Sequence, residues 1–71
     1  MLEKTDIKLT EREIEVLILL AEGKTNKEIS KVLNITVHTV KAHLLNIYEK
    51  LNISSRVQAA IIAAQIGIIN I

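Results

Sequence analysis

Apolar residues fall along this chain in four groups, and the polar residues between them fall where helices begin and end. Ile14, Leu17, Ile18 and Ala21 lie on one face at about 100° per residue, which predicts a first amphipathic helix. A shorter group, Ile29, Val32 and Leu33, predicts a second. Val40, Leu44, Ile47 and Leu51 lie within a narrow arc and predict a longer third helix over Val37 to Lys50. The last group begins at Val57 and is apolar nearly all the way round. Three hydroxyl residues stand three positions ahead of a Glu or Gln, at Thr10–Glu13, Thr25–Glu28 and Ser55–Gln58. This is the capping-box spacing, in which the hydroxyl accepts from an orphan amide and the longer side chain reaches back to the cap. The boxes predict helix starts at Thr10, at about Asn26 and at Ser55. Gly23 ends the first helix, Leu33 the second, and Gly67 the last, just after about Ile66.

One local repeat sharpens these boundaries. Leu33-Asn34-Ile35-Thr36 returns as Leu51-Asn52-Ile53-Ser54, and the two copies bracket the third helix. In each copy Leu closes a helical pattern and Asn tolerates the left-handed exit conformation, while the hydroxyl residue is suited to cap the next helix. Opposite its apolar arc, the bracketed helix carries His38, Lys41, Ala42, Leu45 and Asn46. These groups are small, basic or amide, with no acid in the first turns, and they suit a DNA groove.

Composition removes several function classes. A chain of 71 residues is one small domain. Without Cys there is no disulfide framework and no zinc knuckle. The longest apolar run, Ala59 to Ala64, is far short of the roughly 20 residues that span a bilayer, so no membrane partner is expected and the reading is a cytoplasmic protein. Tyr48 is the sole aromatic residue, which removes the stacking groups used on single strands and leaves duplex as the expected nucleic acid. The formal charge of +1 hides an asymmetry. Up to Glu22 three basic residues meet six acidic ones, a net −3, whereas from Gly23 onward six meet two, a net +4. The basic part holds the second and third predicted helices and points to a polyanion.

A short helix, a three-residue turn and a longer helix form a helix-turn-helix, whose second helix enters the major groove. The residues themselves, Leu9-Thr10-Glu11-Arg12-Glu13-Ile14-Glu15-Val16-Leu17, Gly23 to Ile29, Thr39 to His43 with Asn46-Ile47 and Lys50-Leu51, and then Arg56, Ala59 and Gly67, closely resemble the LuxR/FixJ-type helix-turn-helix domain of bacterial transcription regulators. The resemblance covers about Leu9 to Ile68. It implies an all-α, four-helix domain with the third helix as groove reader and the fourth for dimerisation. Residues 1–8 form a short extension and 9–71 the domain. Most relatives carry a receiver or ligand-binding domain ahead of this unit, and here about eight residues precede the first helix.

The resemblance also implies site residues. Lys41, Ala42 and Leu45 match groove-facing positions, and His38 on the same face joins them as base-contacting. Thr25, Asn26, Lys27, Thr39 and Lys50 match positions near the phosphates. Chemistry supports both sets: the free amides at the start of the second helix, with Lys27 beside them, attract an anion, and Lys41 can donate to guanine O6 and N7. Ala42 and Leu45 can only touch a thymine methyl. The fourth helix has two apolar stripes and a small core can absorb one. Ala59, Ile62, Ala63 and Ile66 are assigned inward, and Val57, Ile61 and Ala64 to a second copy of the chain, with the tail Ile68-Ile69-Asn70-Ile71 extending that surface. RNA polymerase is a further expected partner, and the nucleoid the expected place.

Other chemistries fit poorly. His38 and His43 are five positions apart, about 140° around a helix, and do not make the i, i+4 pair that binds zinc. His43 borders the apolar arc. Glu13 is explained by its capping box, no base stands in reach of a Ser or Thr nucleophile, and no glycine-rich loop holds a nucleotide, so neither an enzyme nor a cofactor is expected. Region 4 of sigma factors has a similar helix-turn-helix but ends near its recognition helix, so a capped fourth helix argues against it. A helix-turn-helix turned protein-interaction module is the other alternative, separated from the main reading by salt-dependent binding to duplex DNA.

Overall fold

Thr10, Thr25 and Thr36 each place a side-chain oxygen over the amide three residues ahead, and a helix starts behind each. The computed structural model describes residues 8–65, which form α1 (Glu11–Ala21), α2 (Asn26–Leu33), α3 (Val37–Leu51) and α4 (Arg56–Gln65). The protein is all-α, with no strand among the described residues. The boxes at Thr10 and Thr25 are complete, each carboxylate returning to its own cap amide at 2.9 and 2.8 Å. At α4 the box is shifted. Ser55 Oγ accepts from the Gln58 amide at 3.2 Å, but the Gln58 carboxamide oxygen accepts from the Ser54 amide, one residue further back. Ser55, and not the Ser54 of the repeated tetrapeptide, therefore caps α4.

The helix ends share one device. The Lys24 amide donates to Leu19 C=O, Ile35 to Ser30 and Ile53 to Tyr48, each a six-residue closure around a residue with positive φ: Gly23 at 91°, Asn34 at 58° and Asn52 at 57°. Ile35 and Ile53, the residues after the two Asn exits, pack against the core. Each tetrapeptide thus ends a helix and seals that end with an apolar contact.

The core joins all four helices: Val16, Leu17 and Leu20 from α1, Ile29 from α2, Val40, Leu44 and Ile47 from α3, and Ala59 and Ala63 from α4. α1 packs against the other three, and α2 against α3. Its buried line is Glu13, Val16, Leu17 and Leu20, whereas Ile14 and Ile18 are half-buried. The face expected from Ile14, Leu17, Ile18 and Ala21 is therefore turned. An apolar run from Val16 to Ala21 has no phase of its own, so its partners choose the face. Val32, counted with the second apolar group, is exposed.

On α4 the small residues Ala59 and Ala63 are wholly buried, letting the helix approach α1 closely, while Val57 and Ile61 remain 69% and 52% exposed. Ile62 and Ala64 are both half-buried, and Ala60 packs against the core. The expected stop at Ile66–Gly67 and the apolar tail lie outside the described residues.

Candidate nucleic-acid interface

The apolar arc of α3 fixes what its other side presents. With Val40, Leu44 and Ile47 buried, His38, Lys41, Ala42, Leu45 and Asn46 are all exposed on one helix face. Leu45 is 68% exposed, so this face offers a free branched aliphatic group between a cation and an amide. All four residues expected to meet bases, His38, Lys41, Ala42 and Leu45, lie together there.

The residues expected near phosphates divide. Thr25 and Lys27 are exposed at the start of α2, and Asn26 beside them is half-buried. In the first turn of α2 the Thr25 and Glu28 amides are taken by the capping box, leaving the Asn26 and Lys27 amides as the free donors of that turn. The Glu28 carboxyl is held below its ordinary range, chiefly by the Thr25 amide against the opposing pull of desolvation, with the Thr25 hydroxyl, Lys24 and Lys31 adding to it. At α3, Thr39 Oγ1 lies 2.9 Å from Thr36 Oγ1, and the Thr39 amide donates to Thr36 Oγ1 at 3.0 Å.

Lys50 has partners within the chain. Its ammonium donates to Glu13 Oε1 at 2.7 Å and to the Lys8 carbonyl at 3.0 Å. These two bonds pin the end of α3 to the start of α1. Glu13 is correspondingly more than a cap residue. Its burial pushes the carboxyl up, but the Lys50 ammonium and the Thr10 amide and hydroxyl outweigh that and hold it below its ordinary value.

Arg56 was not among the expected site residues. Nη1 donates to Asn26 Oδ1 at 2.8 Å and Nη2 to the Lys24 carbonyl at 2.7 Å, so α4 is tied to the entry of α2. One sequence signal points to such a partner: a lone cation in the first turn of a helix opposes the helix dipole. Glu13–Lys50 has no comparable signal. Among the described residues no group of three or more His, Cys, Asp or Glu is placed to hold a metal, and no helix is long and apolar enough to cross a membrane.

Comparison with known proteins agrees with this geometry. The family described as "Bacterial regulatory proteins, luxR family" matches residues 8–63. The chain is 55% identical over 62 residues to the transcriptional regulatory protein LiaR of Bacillus subtilis, covering 87% of this chain and 29% of that protein. It is 54% identical over 57 residues to the nitrate/nitrite response regulator protein NarP of Escherichia coli, covering 80% and 26%. Among solved structures, the response regulator ChrA of a heme-sensing two-component system superposes with a TM-score of 0.81 at 40% identity, covering 87% of this chain and 31% of that one. The chain thus spans under a third of the length of these three proteins.

Proposed function

The chain belongs to the luxR family of bacterial regulatory proteins, and from that membership we propose that it is a sequence-specific duplex-DNA-binding transcription regulator acting as a homodimer. The observation that carries the reading is the exposed, acid-free row His38, Lys41, Ala42, Leu45 and Asn46 on α3, held outward by a helix-turn-helix. A row at this spacing fits the major groove, where Lys41 reads guanine and Ala42 and Leu45 meet thymine methyls. Residues 9–71 form the binding unit and residues 1–8 a short extension.

Thr25, Asn26, Lys27 and Thr39 stand where the α2 start and the α3 cap meet the phosphate backbone. Lys50 stays with this set: two of its ammonium's three donors serve Glu13 and the Lys8 carbonyl, and the third is left for the duplex. Val57, Ile61 and Ala64 are the surface for the second copy. The names of LiaR and NarP describe regulatory proteins, and by extension this chain acts in the bacterial cytoplasm at the nucleoid, with RNA polymerase as a partner at its promoters.

The test is selection of bound duplexes from a random pool, followed by titration of the selected and a scrambled duplex across salt. Enrichment of a paired motif, with affinity falling linearly in log salt, is the expected result. No enrichment, or affinity indifferent to salt, overturns the proposal.

A further inference from the structure

A cation in the first turn of a helix faces the positive end of the dipole, so Arg56 at the start of α4 needs compensating acceptors. It finds two neutral oxygens, Asn26 Oδ1 and the Lys24 carbonyl. A guanidinium carries donors only. The Asn26 carboxamide must therefore turn its oxygen to Arg56, and its Nδ2 points the other way. Among the described residues Nδ2 has no acceptor in hydrogen-bond reach, and no unpaired polar side-chain atom among them is buried. The NH₂ group is thus open to solvent beside Thr25 and Lys27, with its orientation already set.

We propose that Arg56 is a positioning residue for DNA binding, locking the Asn26 carboxamide with its NH₂ presented as a donor to a phosphate oxygen of the duplex. The bond to the Lys24 carbonyl fixes the loop that leads into α2, so the donor is held from both its side chain and its backbone. A carboxamide ordered before binding does not lose rotamer freedom on binding, which is worth about two- to tenfold in affinity. The same bonds run from the α4 first turn, so the helix given to the second copy and the phosphate contact share one rigid link. This proposal rests on the duplex-binding reading above.

A phosphate contact is independent of sequence, so the probe is random-sequence duplex DNA at low ionic strength, titrated by fluorescence anisotropy. Arg56→Met and Asn26→Ala are each expected to weaken binding about two- to tenfold. In the Asn26→Ala background, Arg56→Met should cause no further loss. A full second loss there would show that Arg56 acts through its charge or through the fold, and would overturn the proposal. The Asn26 side-chain NH₂ resonances give a reading that a merely structural role does not move: they should shift in Arg56→Met while the α3 amides stay in place, and unchanged resonances would count against the lock. If Arg56→Met does not fold, Arg56→Lys keeps the charge with a single donor head and enters the same cycle. Absence of wild-type binding would overturn the duplex-binding reading itself, an outcome distinct from binding whose losses add.

Discussion

Glu13 is 4% exposed, with one oxygen between the Thr10 amide and the Lys50 ammonium. Because its carboxyl lies below the ordinary value in the folded chain, the stabilisation is present above the unfolded-state pKa and is lost as pH falls through the folded one. Glu13→Gln should therefore cost about 1.5–3 kcal/mol at neutral pH, the range of a hydrogen bond to a charged group. The wild type and the variant should converge in urea melts at acid pH, and a constant gap down the acid limb would refute the assignment. Two exposed lysines, Lys41 on α3 and Lys27 on α2, test the proposed division between base reading and charge. Lys41→Ala should relax preference at one base pair per half-site by about 1–3 kcal/mol. Lys27→Ala should weaken all sequences alike and reduce the salt slope by about 1. Equal losses for both variants on selected and random duplex would remove Lys41 from the groove.

At the scale of the helices, what was legible in the sequence was what the backbone decides locally. The bounds of α2 follow from Thr25, Glu28 and Asn34, all within ten positions, and both Asn exits have the left-handed geometry that the tetrapeptide implies. Replacing Asn34 or Asn52 with Gly should be nearly neutral in thermal melts, while Val should cost about 1–2 kcal/mol at either place. Tolerance of Val at both would mean that these turns do not depend on the left-handed residue. The outward face of α3 was legible for the same reason, since a helix with a clear apolar arc has a defined back. The buried face of α1 was not, because its unbroken apolar run leaves the choice to α3 and α4. Nor were the polar ties. Glu13 and Lys50 are 37 positions apart, and Asn26 and Arg56 are 30 apart, so only the packed helices bring them together. Lys50 and Arg56 are both engaged in such ties, and Arg56 was missed for that reason.

For the whole molecule the decisive quantity is selectivity. In the proposed reading Lys41 supplies about 1–3 kcal/mol of discrimination at one base pair, and Ala42 and Leu45 add only apolar contact, so one subunit falls short of the roughly 4–10 kcal/mol that separates specific from random DNA. Two subunits on half-sites about one helical turn apart double that readout and approach the range. The required contact has a place on the surface. Val57 and Ile61 stand exposed on α4, one turn apart, while Ala59 and Ala63 on the other side seat the helix on α1. Ile61→Glu should leave the fold intact, because the side chain is 52% exposed in the single chain, but the carboxylate should end cooperative binding to a paired site while sparing weak binding to a single half-site. Circular dichroism, set against gel-shift titrations on paired and single half-sites, tests both parts. Lost helicity would put Ile61 in the core, and unchanged cooperativity would move the dimer contact away from α4.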